Sequence, residues 1–199
     1  VSPLSTIVDA MVASGAAPGV TQAREALAKV LGLSSAAVFD KDPLTQVLAE
    51  PTLLQKMVAI QKSIEIMASA DRASAETTNA AAINRAASAF GAEVVRQAGV
   101  MASGAALPSI GQMINDSAAN QSKFFTNKPA VTATVALAAD VANLTEVTIA
   151  SSVGQMLQTT PNLTGAALQS ALSTVVDPRI ASIEGLQNNA VAAAVQINS

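Results

Sequence analysis

The sequence contains no cysteine, histidine, tryptophan or tyrosine, and its only aromatic residues are four phenylalanines. Without cysteine and histidine it cannot build a thiol–imidazole catalytic pair, a zinc finger or a histidine-ligated haem or copper site. A serine nucleophile would need lysine as its base, and no Ser-x-x-Lys motif is present. We therefore expect a protein that is not an enzyme, with no catalytic residue, no metal ligand and no cofactor.

Positive charge is also sparse. Eleven Lys and Arg residues are scattered among 14 Asp and Glu residues, for a net charge of −3. Proteins that bind nucleic acid cluster their cations to displace counterions from phosphates, and they usually supply aromatic or Arg side chains for stacking. Recognition of anionic lipid also needs a basic cluster. The composition excludes both classes, so we expect no nucleic-acid partner.

Long apolar runs are missing as well. The uncharged stretches 97–115 and 147–176 are broken by glycine, proline or several polar residues, and neither supplies about 20 continuous apolar residues. We expect a soluble protein without a membrane span. The first residues lack the basic and apolar regions of a signal peptide. Because residue 1 is Val rather than Met, we also expect that a preceding segment, with any leader, has been removed.

What the sequence does contain is alanine and aliphatic residues, in a chain that is 50% hydrophobic. Alanine has the highest helix propensity and lets neighbouring helices approach closely. Apolar residues recur at spacings of three and four between capping residues. We predict an all-α fold, a bundle of roughly seven to nine helices. The chain is expected to be one domain, 1–199, with a possible subdivision into 1–126 and 127–199 at Asn127-Lys128-Pro129.

Capping residues, prolines and glycines set the predicted helix boundaries. Thr21 is expected to cap the second helix, and Gly91 to interrupt the helix that follows Thr78. Asp177-Pro178 is expected to cap and begin the last helix. The predicted helices lie over about 2–15, 21–32, 42–49, 51–67, 78–101, 107–125, 130–158, 164–175 and 178–197.

The densest acidic segment is FDKDPL, at 39–44. Asp40 and Asp42 would be too few ligands for Ca²⁺, which takes six to eight oxygens, so we interpret Asp42 as a helix N-cap before Pro43. The six methionines could line a ligand cavity, but their positions on predicted inward faces favour ordinary core packing.

Charge is distributed unevenly, because residues 1–96 hold 17 of the 25 charged side chains and residues 97–199 hold 8. Two explanations remain open: a weakly charged exported protein, or a second half that is buried in an oligomer or against a neighbouring domain. For the second explanation we predict an assembly surface on the helices at about 130–158 and 164–197, with the two phenylalanines as anchors. Its candidate residues are Phe124, Phe125, Val131, Val135, Leu144 and Val191.

The first 70 residues carry a resemblance to a known kind of protein. SPLSTIV (2–8), GVTQAREALAKVLGL (19–33) and DKDPL (40–44) resemble the pattern TPLTTLV, GxTxxxA…LGL, DPL of large exported bacterial surface proteins. Serine replaces threonine at positions 2 and 5. The resemblance covers about residues 2–70. It implies an Ala-rich helical module of a longer polypeptide at the cell surface or outside the cell, and it brings no catalytic residues.

Two functions follow as hypotheses. The first is a non-catalytic structural or adhesive module that works through helix packing, with a second copy or neighbouring domains of a longer chain as its partner. The alternative is a carrier whose helices enclose an apolar small molecule such as a lipid or pigment, because small Ala and adaptable Met side chains suit such a lining.

Overall fold

A computed structural model describes residues 3–40, 46, 50–72, 78–101, 104–160 and 162–197, apart from the side chains of residues 51, 187, 190, 191 and 193–197. These residues form seven α-helices and two short 3₁₀ turns, with no strand among them, so the all-α prediction is confirmed. The helices are α1 (Pro3–Ala13), α2 (Val20–Leu31), α3 (Pro51–Arg72), α4 (Asn79–Met101), α5 (Ile110–Asn120), α6 (Lys128–Thr159) and α7 (Gly165–Ile197). The 3₁₀ turns are Ala36–Asp40 and Ser122–Phe124.

Helix α1 packs across α4, and a glycine sets how close the two helices come. Leu4, Ile7 and Met11 lie on the buried face of α1, as their spacing predicts. A Cβ added at Gly91 of α4 would overlap Cγ of Met11. The weak helix break predicted at Gly91 is wrong, since α4 continues through it. The glycine is needed for the close approach of α1 and not for a turn.

Helix α6 is the central element of the bundle and packs on α3, α5 and α7. It begins where predicted, because the Asn127 side chain accepts a hydrogen bond from the backbone N–H of Ala130 at 3.2 Å. Its close neighbour α5 approaches at Gly111, where an added Cβ would lie 2.5 Å from Oδ1 of Asn143. The principal core contains described residues from both sides of Asn127, where the sequence suggests a possible subdivision.

A smaller apolar cluster joins α7 to the rest. It contains residues from α3, from the second half of α6 and from α7, namely Leu54, Val58, Ile149, Val153, Met156, Leu168, Leu172 and Val176. Further along α7, Ile183 reaches the principal core. Next to it, Glu184 accepts a hydrogen bond from the buried Nζ of Lys62 on α3 at 2.8 Å. The described side chains of α7 therefore attach this helix to α3 and α6 along one narrow face.

The separate last helix predicted at Asp177-Pro178 is wrong, because Pro178 lies inside the continuous helix α7 and Asp177 is exposed within it. Proline removes one backbone hydrogen bond from a helix interior. The buried face continues across it from Val176 to Ile183, and this tertiary packing offsets the loss. The second helix begins at Val20, with Gly19 as N-cap, rather than at Thr21. The helix predicted at 42–49, with its Asp42 cap, lies outside the described residues except for Gln46.

Candidate functional site

The structure separates the six residues predicted to form an assembly surface. Phe125 and Val131 are buried in the principal core, and Phe124 and Val135 are partly buried against it. Only Leu144, which is 46% exposed, lies on the surface. The side chain of Val191 lies outside the described part of the chain. The two phenylalanines therefore pack within the bundle rather than projecting from it.

Leu144 belongs to an exposed or half-exposed stripe on α6. Every member lies three or four residues from the next, the spacing of a heptad repeat, in which every such residue faces one side of the helix. We call this stripe the α6 seam: Ala133, Leu137, Asp140, Leu144, Val147, Ser151, Gly154 and Gln158. Val147, at 68% exposed, is the most exposed large hydrophobic residue described. Of these residues the sequence predicted only Leu144 as part of an assembly surface, and the alternating spacing of three and four is the signal that could have identified the others.

The seam carries almost no charge. Asp140 is its single charged residue, and it makes no hydrogen bond or ion pair with the part of the chain that the structure describes. The opposite face of α6 is buried by α3, α5 and α7. An 18-residue window of α6 has a mean hydropathy of 1.3 and is 39% buried. By length and composition α6 is the one described helix that could cross a membrane, a test that the core helix of a soluble protein also passes.

Two buried carboxylates lie in separate polar clusters, and the first joins α3 to the start of α6. Asp71 is fully buried, and its Oδ1 accepts hydrogen bonds from the backbone N–H groups of Thr126 at 2.7 Å and Asn127 at 2.8 Å. Nε of Arg85 on α4 donates to Oδ2 at 2.6 Å. Every partner of Asp71 is therefore a group of the fold, which indicates a structural role.

The second cluster brings two carboxylates, Glu93 and Asp116, to the same polar side chains. Glu93 of α4 is fully buried and accepts hydrogen bonds from Arg96, from Gln97 at 3.0 Å and from Asn120 at 3.4 Å. Gln97 also donates to Asp116 of α5 at 3.0 Å. Arg96 contacts both carboxylates, and its pKa is raised by the hydrogen bond to Glu93. These hydrogen bonds tie α4 to α5.

A third polar contact has two perturbed groups. Burial lowers the pKa of Lys56 on α3, although Glu146 and Glu50 oppose that shift. Its Nζ donates to the backbone carbonyl of Leu31. Burial raises the pKa of Glu146 on α6, opposed by Lys56 and by a backbone hydrogen bond from Ile110. For both groups, removal from water outweighs the attraction between them.

Two pockets are candidates for ligand binding. One has a volume of about 310 Å³ and lies between α1, α2, the first 3₁₀ turn and the start of α3, with walls that are mostly apolar. The other, of about 520 Å³, is open and is lined largely by hydroxyl and amide side chains between α6 and α7. The methionines line neither pocket except Met156; five of the six are buried and Met101 is half-buried, all within the bundle.

The acidic residues form no metal site in the part of the chain that is described. No group of three or more Asp and Glu side chains comes together there in a way that would hold an ion. Asp40 instead accepts a hydrogen bond from Arg24 at 2.6 Å. No protein-family model, curated protein or solved structure matches the chain.

Proposed function

We propose that the chain is a non-catalytic helical module of an exported bacterial surface protein, and that it associates with a second copy of itself through the α6 seam. The observation that carries the proposal is the exposed pair Leu144 and Val147 at the middle of a 32-residue helix whose opposite face is buried. The exported location rests on the resemblance of residues 2–70. Its test is labelling of intact source cells with an antibody against the chain; a label that appears only after lysis would contradict it.

The arrangement of the seam favours a second copy as the partner. Suppose that two α6 helices pack antiparallel, with a two-fold axis through the point midway between Leu144 and Val147. Each seam residue then lies opposite a seam residue of the second copy. Leu144 then faces Val147 of the second copy, Leu137 faces Gly154, and Asp140 faces Ser151. A large side chain lies opposite glycine, and a carboxylate lies opposite a hydroxyl donor. This self-complementarity is what a two-fold interface requires.

Charge also selects the antiparallel orientation. In a parallel pair the two Asp140 carboxylates would lie side by side and repel each other. In the antiparallel pair they are about 16 Å apart along the axis, at 1.5 Å per residue. That separation exceeds the screening length of about 8 Å at physiological ionic strength. We therefore expect antiparallel association.

Association is expected to be weak. Burying the exposed parts of Leu144 and Val147 in both copies contributes about 1 kcal/mol for each side chain, and this must offset lost rotational and translational freedom. Sedimentation velocity from about 5 µM to 1 mM should detect the dimer. Val147→Lys should abolish it, while Val100→Lys, at a 43% exposed position on α4, should not. A strictly monomeric protein at the highest concentration would refute the proposal.

The absence of cysteine makes the register directly testable. Asp140→Cys and Ser151→Cys proteins, mixed and oxidised, should give the mixed disulfide, because a disulfide needs Cα atoms within about 7 Å. Asp140→Cys alone should give no cross-link. A cross-linked Asp140→Cys homodimer would indicate the parallel arrangement, and would contradict the proposed register while leaving association itself intact.

The carrier hypothesis has less support. The apolar pocket of about 310 Å³ is at the lower end of the volumes found for ligand sites, which suits a small molecule better than a lipid or pigment.

A further inference from the structure

The pocket between α1, α2, the first 3₁₀ turn and α3 combines an apolar interior with an unbalanced charge at its edge. Its interior is formed by four buried side chains, Leu4, Val8, Val38 and Leu53. Polar side chains also line it, among them Asp9 from α1 and Arg24 from α2. Val20 lies exposed at the rim.

The guanidinium of Arg24 is already occupied. It donates to Oδ1 of Asp40 at 2.6 Å and to the carbonyl of Ala36 at 3.3 Å, and it lies 5.8 Å from the centre of the Phe39 ring. These contacts satisfy its charge, so it is a poor receptor for an anionic ligand. The positive charge of Arg24 is therefore matched within the protein.

Asp9 differs because its carboxylate makes no hydrogen bond or ion pair with any residue in the described ranges. Among the pocket-lining residues that the structure describes, two carboxylates accompany one guanidinium, and one carboxylate has no partner there. A ligand that complements this pocket thus needs an apolar body and a positively charged end.

We propose that this pocket binds a small primary amine with a compact apolar chain, its ammonium group beside Asp9 and its chain against Leu4, Val8 and Leu53. A cavity of about 150 Å³ is enough to hold benzene. At about 310 Å³ this pocket has room for a ligand of roughly six to ten heavy atoms. The inference does not depend on association through α6.

The test uses three probes of equal length: hexylammonium, hexanol and hexanoate. Each is titrated at pH 7 into the isotope-labelled protein while the backbone amide signals of Leu4, Val8, Val38 and Leu53 are followed by NMR. We expect hexylammonium to saturate these signals with a Kd of about 1 mM, because few heavy atoms contribute. Hexanol should bind about 3- to 10-fold more weakly, and hexanoate more weakly still.

Two variants test the proposed roles of the Asp9 carboxylate and of the pocket mouth at Val20. Asp9→Asn should weaken hexylammonium binding to the level of hexanol, while Asp177→Asn, at an exposed aspartate on α7, should leave that binding unchanged. Val20→Phe should narrow the mouth and weaken all three probes, whereas Val100→Phe should not. Equal binding of ammonium and carboxylate, insensitivity to Asp9→Asn, or the lack of a saturable response at the pocket would each overturn the proposal.

Discussion

We expect the replacement of Asp71 by alanine to reduce stability more than any other single change at the interface between α3, α4 and α6. The wild-type carboxylate is fully buried and accepts hydrogen bonds from Thr126, Asn127 and Arg85. Its loss would leave a cation without its partner and two backbone N–H groups without acceptors. Breaking a buried ion pair costs about 3–5 kcal/mol, and we expect a loss in that range.

That loss is a large part of the total, since domains are stable by about 5–15 kcal/mol. Urea unfolding followed by circular dichroism measures it, with Asp140→Asn as the surface control, expected within about 0.5 kcal/mol of wild type. Asp71→Asn should be intermediate, because the amide oxygen can still accept from Thr126 and Asn127. Amide exchange at these two residues should accelerate in Asp71→Ala.

Coupling to Arg85 provides the decisive comparison. Arg85→Met alone removes one partner, and Asp71→Ala in that background no longer leaves an unpaired cation. The double variant should therefore be more stable than the sum of the two single losses predicts, by about 1 kcal/mol or more. Additive losses, or a cost below about 1 kcal/mol for Asp71→Ala, would refute the assignment of this network as a principal connection of the fold.

Two further predictions concern packing and pH. In urea unfolding, Gly91→Ala should destabilise the protein by about 1–3 kcal/mol, because the added methyl group overlaps Met11. The control is Gly99→Ala on the same helix, where an added Cβ meets nothing within 4 Å. It should be neutral or stabilising by up to about 1 kcal/mol. Because the folded pKa of Glu146 is raised, the native state binds its proton more tightly than the unfolded state does, so this group's contribution to stability falls as pH rises from about 4.5 through the raised value. The melting temperature of Glu146→Gln relative to wild type should therefore increase over that interval; equal pH profiles of the two proteins would contradict the burial argument.

Composition and local signals were enough to predict the helical class and most helix boundaries. Alanine content, the αL glycine at position 32 and the Asn127 cap act within a few residues of chain, so they can be read without knowing the fold. The first helix and the long sixth helix lie where these signals place them. Function was less accessible, because the absence of cysteine and histidine excludes thiol and imidazole chemistry without indicating what the protein does.

The failures lie where distant segments meet. Pro178 locally predicts a helix start, but α7 continues through it because residues on both sides of the proline pack against the bundle. Gly91 locally predicts a helix break, but the helix continues through it, and α1 packs so closely there that a side chain would overlap Met11. Phe125 reads as an exposed anchor, yet the core buries it. In each case the energy of tertiary contact exceeds the local preference of about 1–3 kcal/mol.

The sequence by itself determined that the chain is helical, weakly charged and without the residues of thiol or imidazole chemistry, because these are properties of residue types. Only the tertiary structure decided which apolar residues stay exposed and which charges stay unpaired. Leu144 and Val131 have the same chemistry and lie on one helix, but α3 and its neighbours cover one side of that helix alone. Asp40 likewise has an ion-pair partner and Asp9 has none among the described residues, because Arg24 of α2 lies 2.6 Å from Asp40.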